Sequence, residues 1–298
     1  MITITGLTKR YGDRVAVDDL TFELAAGRVT GFVGPNGAGK STTMRMMVGL
    51  TRPDEGDVRY DGSPYALLPH PARTVGAVLD AQCMHPGRTA RNHLRAMAAL
   101  SGIAVQRVDE VLTEVGLETA ADQRAGGFSL GMRQRLALAG ALLGEPAVLL
   151  LDEPSNGLDP DGIRWMRNHL SAFAQRGGTV FVSSHLISEL AMFADDLVIV
   201  GNGRLIAAEP LATISARNET TVVVRTSQPD EFVSVLTDHR LTVRTVGDRL
   251  HITGTTMAAV SQLAFDHGVR LVELTETSRS LEDSLLDMTR SSAEFASA

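Results

Sequence analysis

Cysteine is nearly absent from this sequence of 298 residues, which contains Cys83 alone. A single cysteine excludes an internal disulfide framework and a cysteine-based zinc site, and it fits a reducing compartment. The net charge of -7 provides no broad positive field that would attract nucleic acid or an anionic membrane. We therefore expect a cytoplasmic protein that has no nucleic acid partner and that holds any polyanionic ligand locally.

Long hydrophobic runs are missing as well. The longest ones, such as Ala147–Leu151 and Leu197–Val200, have the length of a strand and fall far below the roughly 20 apolar residues of a membrane helix. The first residues, MITITGLTKRYG, do not place an apolar run behind a charged head, so they do not resemble a signal peptide. The sequence predicts no segment that crosses a bilayer.

Apolar runs alternate with helical patterns up to about residue 217. Three β-rich runs at the start predict an antiparallel edge that leads into a buried strand: Ile2–Ile4, Leu20–Leu24 and Val29–Val33. Helical patterns then predict a helical subdomain at about 86–143: Thr89–Leu100, Val105–Val115 and Ser129–Leu143. Two apolar strands that enclose a helix at 162–175 predict a parallel α/β sheet: Val148–Leu151 and Val180–Ser183.

The pattern changes after residue 217, so we predict a first domain over 1–217 and an accessory domain over 218–298. The second part has a β-α-β-β-α-β order, which indicates a small α+β domain of the ferredoxin-like kind. Its predicted strands and helices are Thr221–Arg225, Asp230–Asp238, Leu241–Val246, Leu250–Thr253, Met257–His267 and Val269–Leu274. A last helix is predicted over Ser280–Met288.

Lysine is almost as scarce as cysteine, since 26 of the 28 basic residues are Arg and only Lys9 and Lys40 are Lys. Lys40 lies in the segment GPNGAGKST, which fits the phosphate-loop pattern G-x-x-x-x-G-K-[ST] between an apolar strand and a helix. Glycines let backbone N–H groups surround phosphate oxygens, and a compact ammonium fits where a planar guanidinium would clash. The predicted nucleotide-binding residues are Gly34, Pro35, Asn36, Gly37, Ala38, Gly39, Lys40, Ser41 and Thr42.

A phosphate loop needs a carboxylate that anchors the metal at the end of a neighbouring strand. The segment Val148–Glu153 provides four apolar residues followed by Asp152 and Glu153. Ligands bind at the carboxyl ends of strands in α/β sheets, so we predict that Asp152 holds Mg²⁺ together with the Ser41 hydroxyl. Glu153 is predicted to activate the attacking water as a general base.

This ordered set of motifs resembles the ATP-binding subunits of ABC transporters over about residues 1–217. The resemblance is carried by GPNGAGKST, FSLGMRQ at 128–134, LLLDEP at 149–154, SNGLD at 155–159 and SSH at 183–185. It implies a P-loop NTPase core of ABC type with an antiparallel β subdomain and a helical subdomain. It also implies ATP and Mg²⁺ as ligands and ATP hydrolysis as the reaction.

The resemblance assigns further roles to matching positions. Tyr11 stands where the family stacks an aromatic ring on adenine, and His185 where a switch histidine contacts the γ-phosphate. Asp159 matches the loop that joins two protomers. Ser129, Leu130, Gly131 and Met132 match the signature motif, which in the family binds ATP held by the other protomer. A second interpretation of Ser129 is a helix N-cap, and one residue can fill both roles.

Two departures from the family pattern stand out. Leu130 and Met132 replace the more usual Gly and Gln of the signature, whereas Ser129 and Gly131 remain, so we expect ATP to be sandwiched between protomers. The glutamine that normally follows the third core strand is replaced by Asp80 when Val75–Leu79 is taken as that strand, with Gln82 two residues later. Either side chain is a candidate for Mg²⁺ or water, with Asp80 ranked first.

The predicted function is that of an ATPase subunit that powers an ABC transporter. The single ATPase unit and the C-terminal extension resemble bacterial exporters of drugs and antibiotics, which imply a homodimer on the inner face of the cell membrane and separately encoded permeases. The segment 86–128 and the region of Asp80 would contact the permease. Two alternatives are a non-transport ABC ATPase acting on a soluble partner and a regulatory binder without activity. The single phosphate loop and the short spacing of the motifs argue against the first alternative. Glu153 and His185 argue against the second.

Overall fold

The computed structural model describes residues 1–80, 84–216 and 220–278. Gln82, Cys83 and the helix predicted over 280–288 lie outside these ranges. The chain divides into two compact units, the first formed by Met1–Leu211 and the second beginning at Ala212. This division lies six residues before the domain boundary predicted at 217, because all but the first residue of the helix Leu211–Ala216 belongs to the second unit.

The first unit contains ten strands and eight helices within its described residues, counting a helix that begins on its last residue. The strands are β1 Ile2–Tyr11, β2 Arg14–Leu24, β3 Val29–Val33, β4 Glu55–Tyr60, β5 Ser63–Pro64, β6 Val75–Val78, β7 Val148–Leu151, β8 Thr179–Ser184, β9 Asp196–Gly201 and β10 Arg204–Pro210. The helices are α1 Lys40–Met47, α2 Pro71–Thr74, α3 Ala90–Ser101, α4 Arg107–Glu114, α5 Leu130–Leu142, α6 Pro160–Gln175, α7 Ile187–Leu190 and α8 Leu211–Ala216.

The strands form two sheets. An antiparallel sheet has the order β2-β1-β4-β5, and a second sheet has the order β10-β9-β3-β8-β7-β6. Strands β9, β3, β8, β7 and β6 of the second sheet are parallel, and β10 pairs antiparallel to β9. Because parallel strands end at the same edge, the residues that follow β3, β7 and β8 are brought together.

A cluster of three aromatic side chains joins the two sheets. Phe22 of β2 lies 6.0 Å from Phe32 of β3 and 5.8 Å from Phe181 of β8, measured between ring centroids. Phe32 and Phe181 stack at 4.8 Å. All of these rings are buried, and offset aromatic pairs add to the stabilisation from burial. The core therefore fixes β3, and with it the start of the phosphate loop.

The helical subdomain is formed by α3, α4 and α5, as predicted. Thr89 caps α3 by accepting a hydrogen bond from the Asn92 amide at 3.2 Å, and Gly102 ends that helix in a left-handed conformation. Both features follow from the preference of hydroxyl residues for helix starts and of glycine for helix ends. No helix within 1–80, 84–216 and 220–278 is both long and apolar enough to cross a membrane.

The second unit shows the predicted element order. Its elements are β11 Thr220–Thr226, α9 Pro229–Asp238, β12 Thr242–Val246, β13 Arg249–Thr253, α10 Met257–Asp266 and β14 Leu271–Ser278. The strands form an antiparallel sheet in the order β12-β13-β11-β14, so β13 lies between the two strands that α9 connects. This arrangement fits the ferredoxin-like interpretation. Its core is formed by apolar side chains of the sheet and both helices, including Val222, Phe232, Ile252 and Val260.

Candidate nucleotide site

A pocket of about 590 Å³ opens at the carboxyl edge of the parallel strands, around the loop between β3 and α1. The structure brings together nine of the residues predicted from the sequence in its lining: Tyr11, Asn36, Gly37, Gly39, Lys40, Ser41, Thr42, Glu153 and His185. Three lining residues were not predicted: Arg14, Ala16 and Asn156. Motif spacing alone gave no signal for Arg14 and Ala16, which reach the pocket from β2.

Two glycines of the loop tolerate no side chain. A Cβ atom on Gly34 would lie 2.3 Å from the Val200 carbonyl oxygen of β9. Gly39 has a φ of 100°, and a Cβ there would lie 2.4 Å from the Ala16 carbonyl oxygen. Glycine is therefore required at both positions because the backbone of another strand lies too close for a side chain. At Gly39 the left-handed conformation is a second reason. The loop is held between β2 and β9.

Helix α1 begins with open backbone amides. Its N-cap residue is Gly39, which has no side chain that could accept a hydrogen bond from the first turn. The first N–H groups of a helix have no partner within the helix, and they carry its positive dipole end. The start of α1 is therefore suited to an anion, and the Ser41 side chain is exposed beside it.

Lys40 is buried, with 6% of its side chain exposed. Its Nζ donates to the Gly34 carbonyl oxygen at 2.7 Å and lies 3.4 Å from the Pro35 carbonyl oxygen. The Glu153 carboxylate lies 3.5 Å away. Burial of a charge is costly unless it is paired and hydrogen-bonded, and these three groups provide the pairing. They hold the ammonium inside the loop, facing the end of β7.

The carboxylates after β7 are organised by a residue that sequence analysis did not single out. Ser183 of β8 is fully buried, and its hydroxyl donates to Asp152 Oδ1 at 2.6 Å while accepting from the Glu153 amide at 2.9 Å. Glu153 adopts a left-handed backbone with a φ of 50°. Such a conformation is uncommon for residues other than glycine, and here it turns the chain sharply after the strand. The position of Ser183 at the end of a strand beside β7 was the available signal.

His185 and Glu153 form a direct pair. His185 Nδ1 donates to Glu153 Oε2 at 2.6 Å, because an ionised carboxylate can only accept. The two carboxylate oxygens of Glu153 are therefore divided, with Oε1 facing Lys40 and Oε2 facing His185. The structure thus places a candidate base between a candidate phosphate ligand and a candidate switch residue.

The signature residues lie outside this pocket. Ser129 is the N-cap of α5, and its hydroxyl accepts from the Met132 amide at 3.2 Å. Ser129 and Leu130 are exposed, and Gly131 and Met132 are half-buried. Asp159 caps α6 by accepting from the Gly162 amide at 2.7 Å. None of these residues lines the 590 Å³ pocket of the same chain.

Asp80 also lies apart from the pocket. It is exposed at the end of β6 and borders a groove of about 610 Å³ between β6, α1 and the helical subdomain. The groove is mainly apolar, with Leu50, Met84 and Met97 among its lining residues. Burial lowers the pKa of His93 in this groove, and the charge of Arg88 lowers it further. Gln82 lies outside the described residues, so Asp80 is the only one of the two candidates that the structure places.

The donor set in the pocket fits Mg²⁺ bound together with a nucleotide. Within the described ranges, no group of three or more His, Cys, Asp or Glu side chains could hold a metal by itself. Mg²⁺ usually takes only one or two protein ligands and keeps waters and phosphate oxygens in its shell. The Ser41 hydroxyl lines the pocket, and the half-buried Asp152 carboxylate does not line it but directly precedes Glu153, so these two oxygen ligands would hold the ion. A bound Mg²⁺ would neutralise charge that develops on the phosphate oxygens.

Comparisons with known proteins support the resemblance to ATP-binding subunits of ABC transporters. A family model described as ABC transporter matches residues 17–156. The ABC transporter ATP-binding protein YhcH of Bacillus subtilis is 37% identical over 297 residues, which cover 99% of this chain and 97% of that protein. The chain belongs to the ABC transporter ATP-binding proteins. As a member of this family it is an ATP hydrolase and the ATP-binding subunit of a transporter.

Two further relatives of this ABC subunit carry names that state a cargo. The bacitracin transport ATP-binding protein BcrA of Bacillus licheniformis is 38% identical over 242 residues, which cover 80% of this chain and 79% of that protein. The Nod factor export ATP-binding protein I of a Rhizobium species is 33% identical over 296 residues, which cover 97% of this chain and 96% of that protein.

In the second unit, residues 220–282 match a family model described as a domain of unknown function, DUF8746.

Solved structures confirm the predicted ABC-type fold. An ATP-binding subunit of an ABC transporter matches 73% of this chain and 92% of its own, with a TM-score of 0.66 and 28% identity. An ATP-binding cassette solved as a dimer in a post-hydrolysis state, bound to ADP and Pi, covers 71% of this chain and 99% of its own. Its TM-score is 0.64 and its identity 25%. The family thus includes a dimeric cassette with nucleotide.

Proposed function

We propose that this ABC ATPase binds ATP and Mg²⁺ in the pocket at the phosphate loop and hydrolyses ATP only when two copies close on each other. The observation that carries the proposal is the chain of contacts Lys40–Glu153–His185, 3.5 and 2.6 Å long, beside uncapped amides of α1. Those amides, with Lys40, bind the phosphates, and Tyr11, which is 51% exposed at the rim, stacks on the base.

In the reaction, Glu153 accepts a proton from the attacking water while Lys40 stabilises negative charge on the terminal phosphate. His185 holds one oxygen of Glu153, which leaves the carboxylate oriented toward the loop. Ser41 and Asp152 would hold Mg²⁺. The exposed start of α5 supplies Ser129 and Gly131 to the γ-phosphate of ATP in the partner protomer, and Asp159 lies at the same interface.

We further propose that the work is delivered to a separately encoded membrane permease that exports an antibiotic or another hydrophobic compound. The relatives named for bacitracin transport and Nod factor export support this cargo class. The apolar groove beside Asp80 is the proposed permease contact, since an apolar groove with few polar groups is suited to an apolar segment of a partner. The chain would then lie on the cytoplasmic face of the membrane.

Purification of membranes with this chain as bait would identify the permease; recovery of a soluble partner alone would favour a non-transport ATPase.

The catalytic part of the proposal is tested by Glu153→Gln. The amide keeps the size of the side chain but cannot accept the proton, so we expect turnover to fall by about 10² to 10⁴-fold. ATP affinity is expected to remain, and an ATP-dependent dimer should accumulate because the closed state is no longer released. Calorimetry with ATP and Mg²⁺ and sedimentation velocity measure the two properties. Unchanged turnover would refute the assigned role of Glu153.

A further inference from the structure

The start of the signature helix is packed against the loop that follows Glu153 in the same protomer. Two leucine–glycine pairs make this contact: Leu130 with Gly157 and Leu158 with Gly131. A Cβ atom on Gly157 would lie 2.2 Å from Leu130 Cδ2, and a Cβ on Gly131 would lie 3.6 Å from Leu158 Cδ2. Each segment therefore offers a leucine to the glycine of the other. We call these four residues the leucine–glycine interlock.

The two pairs differ in tightness. At Gly131 the distance is an ordinary van der Waals contact, so a methyl group would fit against Leu158. At Gly157 the space of a side chain is already occupied by Leu130, and nothing else lies within 4 Å except another atom of Leu130. Leu130 is 38% exposed, and the atom that meets Gly157 is the end of its side chain, so this contact lies at the surface. The Leu130 side chain therefore packs on the loop and not in a hydrophobic core.

The helix and the loop carry the residues assigned above to the partner nucleotide and to the protomer interface. Ser129 precedes Leu130 directly, and Asp159 is two residues beyond Gly157. Leu130 and Leu158 each lie against the backbone of the other segment, so the two segments are in direct contact. A shift of the loop after Glu153 therefore moves the start of α5, and a shift of the signature moves the loop.

We propose that Leu130 is a positioning residue that couples the signature helix to the loop Ser155–Asp159, so that both approach the partner protomer as one unit. The inference rests on the proposed action of Ser129 across the protomer interface. It gives a role to the leucine that stands where the wider family more often has glycine. Leu130 would not contact the nucleotide held by its own chain, so its effect is on turnover and closure rather than on ATP affinity.

A second contact keeps the rest of α5 on α6. The Arg135 guanidinium lies 4.0 Å from the centroid of the Trp165 ring, and Arg135 Nη1 donates to the Val115 carbonyl oxygen at 2.9 Å. Cation–π contacts of this kind hold the helices independently of the interlock. Trp165 is the single tryptophan of the chain, so its fluorescence reports whether α5 and α6 remain packed. This contact provides a fold control for variants at Leu130.

The first test compares Leu130→Gly with Leu130→Met. Glycine removes the contact with Gly157, and we expect kcat to fall by about 10 to 10²-fold because a small misplacement of catalytic groups has effects of that size. Methionine still reaches Gly157 and should keep kcat within about threefold of the parent, since Leu and Met are nearly volume-conserving. KM for ATP should change by less than about twofold, because Lys40 and the α1 amides, which are proposed to bind the phosphates, are unchanged.

The second test is a size exchange. Gly157→Ala introduces a methyl group into the space of Leu130, and we expect kcat to fall by about 10²-fold in the parent chain. In the Leu130→Gly background the same change should cost less than about threefold, because the overlap is gone and the effects of contacting residues are not additive. The backbone strain of alanine at φ 73° is common to both backgrounds, so it cancels from the comparison.

The matched control is Gly62→Ala. Gly62 has a φ of 85° with nothing within 4 Å, so this variant carries the strain without the overlap and should keep the parent kcat. Trp165 emission should be unchanged in every variant. If Leu130→Gly and Leu130→Met have the same kcat, or if the two costs of Gly157→Ala are equal, the coupling is refuted. If Glu153→Gln forms no ATP-dependent dimer while the Leu130 effects persist, the proposed function fails and the interlock stands as a contact within one chain.

Discussion

The helices α1 and α5 both present their N-termini as candidate phosphate sites, yet they are built differently. Helix α1 begins at a glycine with no capping side chain, between buried strands, with the ammonium of Lys40 already inside the loop. Helix α5 begins at Ser129, whose hydroxyl caps the Met132 amide, and its first residues are exposed. The start of α1 has no amide capped by a side chain, whereas the start of α5 has one amide capped by its own serine.

This difference indicates that the two helix N-termini have different roles. Open amides gain a partner only when phosphate arrives, so α1 is suited to bind nucleotide in a single protomer. The Ser129 hydroxyl only accepts in its cap, so its O–H can donate to a phosphate while the cap of α5 is kept. No residue of α5 lines the pocket of its own chain, so we expect this end to contact phosphate only in the pocket of a second protomer. We therefore assign nucleotide binding to the start of α1 and control of hydrolysis to the start of α5.

A large effect is expected from Lys40→Arg. The buried space between the Gly34 carbonyl and Glu153 fits an ammonium, and a guanidinium would lose these contacts or displace the loop. We expect ATP turnover to fall by about 10² to 10³-fold, the size seen when one stabilising donor is lost. Steady-state hydrolysis and calorimetry with ATP and Mg²⁺ measure it. Near-parental activity would mean that α1 does not need a compact cation.

Mixed protomers test whether the two ends act on different molecules. Lys40→Ala removes the phosphate ligand of one chain, and Ser129→Arg blocks the signature of the other. Each homodimer should be inactive, whereas a heterodimer should regain one competent site, because an intact phosphate loop then faces an intact signature. The readout is ATP hydrolysis by heterodimers isolated with two affinity tags. No recovered activity in verified heterodimers would place both ends in one chain's site.

Ser129→Asp and Ser129→Ala separate the cap from the phosphate contact. Aspartate caps helices as well as serine does, so the melting temperature should be kept, while its charge repels a γ-phosphate and lowers turnover by about 10²-fold. Alanine loses the cap at a cost of about 1 kcal/mol in stability, with a smaller loss of turnover because no like charge is introduced. Thermal unfolding and kcat give the two quantities. Equal turnover of the two variants would leave Ser129 only as a cap.

The smallest effect is expected from removal of the second unit. A truncation after Leu211 keeps β10 and the hydrogen bond from the Leu211 amide to the Asp195 carbonyl at 2.9 Å. None of the residues lining the nucleotide pocket follows this point, so ATP affinity should be unchanged within about twofold, as expected when distant sites are independent. Calorimetry on the folded truncation checks this. A large loss of affinity would make the second unit part of the site.

The local elements of the fold were predictable because each has a strong local signal. Apolar runs gave β3, β7 and β8, and the hydroxyl residues Thr89 and Ser129 marked helix starts within one residue. The long pair β1 and β2 was recognised only in part, because its register shifts interrupt the alternation of apolar residues. The strand order and the junction of the sheets at Phe22 are long-range properties that no local pattern contains.

The candidate site was predictable where chemistry and spacing coincide, as in Lys40, Asp152, Glu153 and His185. Ser183 was missed as a functional residue because its position at the end of a strand does not reveal its role, which depends on two partners that follow another strand. The contact of Leu130 with Gly157 was missed for a related reason. The sequence shows which residues depart from the family pattern, but only packing shows what a departing side chain touches.

The scarcity of lysine has a practical consequence for following this ATPase in solution. Reductive methylation with ¹³C-formaldehyde labels the N-terminal amine and the lysine amines, and the lysine amines are limited to Lys9, bound to Asp54 at 2.9 Å, and the buried Lys40. Their methyl resonances therefore serve as an internal reference on β1 and a reporter inside the phosphate loop. Because Lys40 is only 6% exposed, its rate of labelling also measures how often the empty loop opens.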